Sequence, residues 1–299
     1  MILNIKDEVK KLQQIRRGEI KEGYSLEIPE FDEYFKLKLG NFNVVLGHSN
    51  TGKTTTILYL MMLYSVKHKM KWLIYSSENE AYTIVRKLVE FLTGLPINKI
   101  EEKIFIEKTE WVNEHFKIID PNTLYSYKKL LNLAEEIKKA WNYHGFMIDP
   151  YNSLMIDKSE LRGLSKHDYD YTATSEMRVF CKSNNVTIWL CTHAATEALR
   201  KTHAKDHEYA GHPMPPMGSD VEGGGKFINR SDDFIVIHRY TQHPTDWMYS
   251  MIHVRKIKDM DSGGRPTSLD SPIMMRSVVN NVGFNIDNQN MLHKTQGKI

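Results

Sequence analysis

GHSNTGKTTT, residues 47–56, fits the pattern G-x-x-x-x-G-K-[ST], with Gly47, Gly52, Lys53 and Thr54 at its fixed positions. NFNVVLG (41–47) precedes it, a short apolar run that reads as a strand. TTTILYLMMLYSV (54–66) follows, apolar nearly all round as a helix buried against a sheet should be. Strand, glycine loop and helix in that order are the context in which such a loop cradles phosphate. Glycines let backbone N–H groups turn inward onto phosphate oxygens, and the helix N-terminus adds positive potential. In that role Lys53 reaches the β- and γ-phosphates and the Thr54 hydroxyl ligates Mg²⁺, with Asn50, Thr51 and Thr55 on the same turn. The stretch predicts a nucleotide-binding ATPase core that uses ATP and Mg²⁺.

Outward from the loop, apolar strands alternate with helical segments. KWLIYS (71–76), GFMID (145–149) and VTIWLCT (186–192) read as strands. AYTIVRKLVEFL (81–92), residues 123–141 and residues 170–184 read as helices, the second with Leu124, Tyr127, Leu131, Ala134, Ile137 and Trp141 in phase. Alternation of this kind predicts an α/β fold with a largely parallel central sheet, helices on both faces. From Phe234 the texture changes: 234–239, 248–258, 272–276 and 282–286 suggest consecutive strands with short connections, an antiparallel extension of the same sheet. The segment 195–232, rich in His, Pro, Gly and charge, has no good period, and loops that long tend to be functional or disordered.

Bulk composition narrows the function classes. The 299 residues carry a net charge of +3, so any nucleic-acid surface must be local. Cys181 and Cys191 are too few for a disulfide framework and are spaced unlike a metal site, which suits buried thiols in a reducing compartment. No apolar run reaches the roughly 20 residues of a membrane span, and the N-terminus is not patterned as a signal peptide. A soluble, cytoplasmic protein is expected.

An ATPase loop needs an acidic residue at a strand end to hold the metal's water shell. KIID (Asp120), FMID (Asp149) and LMID (Asp157) all qualify. FMID follows a long amphipathic helix, looks like a buried central strand and is stopped by Pro150, which favours Asp149; Asp120 is the fallback, its other role being a cap for Asn122 and Thr123. A water-activating group is also required. YSSENE offers Glu78 just past strand 71–76, beside the loop if those strands are neighbours, with Glu80 as a rival. His193, ending VTIWLCTH, is placed to sense the γ-phosphate or to serve as an ordinary structural histidine.

Taken in order, these motifs resemble the RecA-type ATPase core of hexameric replicative helicases, the DnaB and Twinkle/T7-type group. The ordered set is the glycine loop, Y-S-S-E after the next strand, F-M-I-D, T-H-A-A, a glycine-bearing loop and an antiparallel K-x-K strand. The resemblance runs from the helix at 5–17 to about residue 286. It implies that Glu78 is the catalytic glutamate, Asp149 the Walker B aspartate and His193 the γ-phosphate sensor. It implies that Lys256 and Lys258 reach the neighbouring subunit's ATP, where the family has K-x-R; a lysine lacks the bidentate fork, and Arg255 is the alternative finger. Arg239, ending FIVIHR, matches an arginine that stacks on the base.

The same resemblance implies a ring-shaped homo-oligomer, a hexamer, moving on single-stranded DNA, with primase or other replication proteins as partners. Residues 1–22 would be a linker helix that packs on the adjacent subunit, or else an ordinary capping helix, and 23–299 the motor. No primase, zinc-binding or helical domain precedes the motor, as in a pared-down enzyme of bacterial, phage or mobile-element origin or a piece of a longer protein. Two segments are placed to grip DNA phosphates. One follows Asp149, with Lys158, Arg162 and Lys166; the other follows His193, with Arg200, Lys201, Lys205 and the run Gly223, Gly224, Gly225, Lys226. Both also carry acids, so each could instead be a solvated mixed-charge loop. Two other functions compete: a RecA/RadA-like recombination ATPase that forms filaments, favoured by the lysine pair, and a regulatory or loader ATPase that does not unwind.

Overall fold

A computed structural model describes residues 4–296 apart from 21, 157, 162 and 164. The backbone is organised around one ten-stranded sheet, in the order β10-β9-β8-β7-β6-β1-β5-β4-β2-β3. Its strands are β1 (Phe42–Gly47), β2 (Trp72–Ser76), β3 (Phe116–Ile118), β4 (Gly145–Asp149) and β5 (Thr187–His193), then β6 (Asp233–His238), β7 (Tyr249–Ile257), β8 (Ile273–Ser277), β9 (Phe284–Ile286) and β10 (Gln289–Asn290). β1 to β6 pair in parallel, and β6 to β10 continue antiparallel, as the change of texture at Phe234 predicts.

The central strands β1, β2 and β4 are buried on both faces, which is why they read as unbroken apolar runs. On one face the helices Lys53–His68 and Ala81–Thr93 cover a core that includes Ile57, Met61, Leu88 and Ile235. On the other, Tyr127–Ala140 and Lys166–Asn184 cover Phe42, Val44, Phe146, Ile188 and Phe234. All parallel strands thus end on one edge of the layer, where ligands of open α/β sheets bind.

Three features depart from the sequence reading. Strand 71–76 is not a neighbour of the phosphate-loop strand: β5 and β4 lie between them. The helix expected from 123 begins at Tyr127, because the Ser126 side chain caps it by accepting from Lys129 N–H, and Leu124 is left exposed. A helix at Glu102–His115 was not foreseen; only Val112 of its residues is buried, so its apolar period is weak. The N-terminal helix Ile5–Arg16 forms as expected, with Ile5 and Leu12 exposed at 78% and 61%.

Candidate nucleotide site

The phosphate loop bends between β1 and the helix Lys53–His68 through two left-handed residues, Asn50 and Gly52. Gly52 is the helix N-cap at φ 82°, a conformation in which glycine carries no Cβ penalty. Gly47 is required for a different reason. A Cβ there would meet the Ile237 carbonyl at 2.5 Å and the Lys53 side chain at 3.1 Å. The loop, with Thr51, Thr54 and Thr55, walls a cavity of about 520 Å³ completed by Glu78, Asp149 and His193, so three strand ends converge on it.

Register explains the convergence. Gly47 of β1 is the direct partner of His193 at the end of β5, and Ser76 of β2 is the partner of Asp149 at the end of β4. Lys53 Nζ donates to the carbonyls of Gly47 (3.2 Å) and His48 (2.9 Å) and lies 3.2 Å from His193 Nδ1. An ammonium only donates, so Nδ1 is the acceptor and the proton of neutral His193 sits on Nε2. That Nε2 is 3.3 Å from Glu78 Oε1, to which it donates. Burial lowers the Lys53 pKa, partly offset by Cys191, Asp149 and Glu78. Glu80 lies outside this set, at the N-cap of helix Ala81–Thr93, exposed and not lining the cavity.

Thr54 Oγ1 donates to Asp149 Oδ2 at 2.6 Å. Asp149 is 1% exposed, and burial raises its pKa against the opposing Thr54 hydrogen bond and Lys53 charge. A hydroxyl and a desolvated carboxylate side by side, with a phosphate loop above them, suit a hard oxygen-seeking dication such as Mg²⁺. Asp120 is exposed and spends its carboxylate on Asn122 N–H and the Thr123 hydroxyl, a local turn far from any dication role. Asp157 lies outside the described residues.

Arg239, one residue past β6, reaches the same loop: its Nη1 would be 3.9 Å from a Cβ on Gly52. It is half-buried, its Nε donating to the Trp247 carbonyl and its guanidinium 5.9 Å from the Trp247 ring. Lys256 and Lys258 are at the opposite end of the sheet. Lys256 pairs with Phe234, which pairs with Val44, about 10 Å short of Gly47 at roughly 3.3 Å per residue. Lys256 Nζ donates to the Ile228 and Ser231 carbonyls, both at 2.7 Å, and Lys258 Nζ to Asp232 Oδ1 at 3.1 Å. Arg255 is the extra residue of a β-bulge in β7, between Val254, which pairs with Ile235, and Lys256, which pairs with Phe234, and it lines a separate cavity with Met251 and His253.

The two segments proposed for DNA are joined behind the site by residues that the sequence did not single out. Asn152 Oδ1 accepts from the Thr192 hydroxyl and from His193 N–H, both at 2.9 Å, and its Nδ2 donates to Glu222 Oε2 at 2.9 Å. Asp170, buried, accepts from the Tyr151 hydroxyl at 2.7 Å and pairs with Lys166 and Lys226 at 3.3 Å each. Lys226 is therefore interior, not a surface cation, and Gly223 and Gly224 at φ 106° and 94° bring its loop against Asp170. Lys201 pairs with Asp220, while Arg200, Lys205 and Gly225 are exposed. Arg162 and the side chain of Lys158 lie outside the described residues. No single property of Asn152 in the sequence marks it; only its position two residues past Pro150, on the segment already suspected, gave a hint.

No family model matches the chain. Over 257 residues, 81% of the chain, it is 25% identical to the Twinkle homolog protein, chloroplastic/mitochondrial, of Arabidopsis thaliana. It spans about a third, 34%, of that relative's length. The ATPase domain of G40P superposes with a TM-score of 0.72 at 14% identity, covering 95% of this chain and 99% of that one. A DnaB-like replicative helicase, solved for its interactions with primase, gives 0.70 at 14% identity over 95% of this chain and 67% of that one. A KaiC-like protein from Pyrococcus horikoshii OT3 gives 0.56 at 17% identity over 89% and 97%. Among the described residues, no helix is long and apolar enough to cross a membrane.

Proposed function

We propose, for a chain whose fold is the RecA-type ATPase core seen in DnaB-like replicative helicases, that it is an ATP-driven motor translocating on single-stranded DNA as a ring, with residues 23–299 as the motor. The observation that carries the reading is the placement of two cation sets at opposite ends of one sheet. Lys53 and Arg239 flank the phosphate loop, whereas Lys256 and Lys258 stand at the far end and have no reach to it within the same subunit. Cations so placed serve a triphosphate only across a subunit boundary, which couples turnover to assembly. The exposed apolar stripe of helix Ile5–Arg16 supports the same assembly, as a surface suited to an adjacent copy.

Within one site, the residues divide the work. The loop amides and Lys53 hold the phosphates, exchanging the carbonyls of Gly47 and His48 for phosphate oxygens. Thr54 and Asp149 would hold Mg²⁺, which neutralises developing charge on the phosphates when bound. Glu78 accepts the proton of the attacking water. As Lys53 turns to phosphate, His193 Nδ1 loses its donor and the His193–Glu78 hydrogen bond is free to rearrange. Because His193 N–H is held by Asn152, and Asn152 by Glu222, that rearrangement passes to both segments suspected of gripping DNA.

Native mass measurement with an ATP analogue, with and without single-stranded DNA, tests the proposal together with DNA-stimulated hydrolysis. Closed rings and stimulation support the motor, open filaments the recombination ATPase, and a monomer indifferent to DNA a switch ATPase. The KaiC-like neighbour keeps the last reading alive, since this fold is not confined to helicases.

A further inference from the structure

A second cavity, about 580 Å³, shares no lining residue with the phosphate-loop cavity and lies between the segment after His193 and β7 and β8. Its volume suits a small organic ligand. One wall is a pair of stacked rings, Tyr209 on Tyr240 at 3.8 Å and 14°, each fixed by its hydroxyl: Tyr209 donates to Asp246 at 2.9 Å and Tyr240 bonds His203 at 2.7 Å. Met251 and Met274 give it an apolar, polarisable floor. Two polar side chains on β7 also line it without closing a well-formed hydrogen bond. His253 is 2% exposed and both ring nitrogens are unsatisfied; Arg255 has Nε and Nη1 buried and unsatisfied. Burial pushes His253 down to about 3, so it is a neutral donor and acceptor. Leaving such donors unpaired is costly, and a ligand acceptor recovers that cost once the side chain turns its nitrogens into the cavity.

The lining discriminates among ligand chemistries. Arg255 asks for adjacent acceptors. Asp270, on the same wall, and Glu208 ask for donors and disfavour a phosphate-rich ligand. Flat rings and methionines ask for a planar body. We infer that this cavity binds a guanine base, its O6/N7 edge toward Arg255, its N1–H and N2–H₂ edge toward the carboxylates and its face against the tyrosine wall. Adenine presents the N6–H₂ donor where Arg255 needs an acceptor, and cytosine, with N4–H₂ as its sole donor, cannot present a bidentate acceptor edge to Arg255 and a pair of donors to the carboxylates at once. The base can arrive as a free nucleoside or on a single strand.

Equilibrium dialysis of the full chain with guanosine, with an ATP analogue saturating the phosphate loop, tests this. Guanosine lacks phosphate, so the loop gives it no hold. Saturable binding is expected, with adenosine and cytidine weaker by roughly tenfold or more. Arg255→Met should weaken guanosine by a similar factor, and Met274→Trp, which fills the cavity, should abolish binding; both variants should keep their ATP-analogue affinity. Absence of saturation up to the solubility of guanosine, equal binding of the three nucleosides, or binding unchanged in Arg255→Met overturns the inference. Competition between guanosine and an oligo-dG strand assigns the source. Displacement means a strand base fills the cavity, and no displacement means a free nucleoside does; either keeps the assignment. Since no hydrolysis is read, failure here leaves the motor reading standing.

Discussion

Glu78 Oε1 lies 3.3 Å from His193 Nε2, although their strands, β2 and β5, are separated by β4. The carboxylate reaches over the strand between them and joins a line that runs Lys53, His193, Glu78. Glu78→Gln keeps the side chain's size and its hydrogen bond to His193 but cannot take a proton. ATP affinity should stay within about twofold, while kcat falls by roughly 10²–10⁴-fold, the usual value of a general base. Glu80→Gln should leave both unchanged. Steady-state hydrolysis and nucleotide titration on the two variants check the assignment, and loss of turnover in Glu80→Gln alone would reverse it.

The Asn152 side chain ties the segment after Asp149 to the end of β5 and to Glu222, two stretches that the Glu222 N–H to His193 carbonyl bond already joins. Removing it should leave the phosphate cradle intact and break the mechanical link. Asn152→Ala is expected to lose most of the DNA-stimulated rate and much less of the basal rate. A proportional loss of both would mean that Asn152 only supports the fold. The variant also strips partners from the Thr192 hydroxyl and His193 N–H, so a stability cost of about 1–3 kcal/mol is expected by thermal melting.

The parts of this protein that were readable from sequence are those where local chemistry is decisive. Gly47 to Thr54 carries a complete local pattern, strand, glycine loop and helix, and the burial of β1 and β4 on two faces leaves the apolar runs expected of a parallel sheet. Pro150, which stops its strand, favours Asp149 over two other candidates, and the structure sets its carboxylate against the Thr54 hydroxyl. What could not be read depends on strand order. Nothing in YSSENE says that two strands intervene before the phosphate loop, and Glu78 earns its place only through His193. Lys226 shows the opposite error: charge and three glycines suggested a phosphate grip, but Asp170, over fifty residues earlier in the chain, draws the ammonium inside. Asn152 was missed because its three partners are distant in the chain, Thr192 and His193 at the end of β5 and Glu222 seventy residues on.

Asp232 gives a pH dependence with a definite sign. It is buried and accepts from Arg178 Nη2 at 2.8 Å, Lys258 Nζ at 3.1 Å and Phe42 N–H at 3.1 Å. Burial, the largest single influence, raises its pKa, but the Phe42 hydrogen bond and the two cations together outweigh it and hold the carboxyl below its usual range. A depressed folded pKa stabilises the protein above the unfolded carboxylate range, and that contribution is lost as pH falls through the folded titration. Asp232→Asn should therefore cost about 1–3 kcal/mol near neutrality, most of it from Arg178 and Phe42 because Lys258 is half exposed. The wild-type and variant melting curves should converge in acid. A gap that stays constant with pH would assign the loss to packing instead.

The final test concerns the lysines at the far end of β7. If Lys258 acts on a neighbour's triphosphate, it has to leave Asp232 when subunits dock, and its half-exposed side chain allows that move at little cost. Lys258→Ala should bind ATP normally and hydrolyse it slowly. Lys53→Ala should not bind ATP, yet it still presents an intact Lys258. In a mixture, some boundaries pair a competent cradle from the first variant with a competent lysine from the second. Those boundaries should turn over ATP, so the mixture should exceed the summed rates of its components, by the largest factor near equal proportions. If the lysine works within its own subunit, no boundary is ever complete and the mixture gives only the sum. Repeating the assay with Lys256→Ala separates the two lysines. Lys256 is committed to the carbonyls of Ile228 and Ser231, so its loss should lower thermal stability as well as rate.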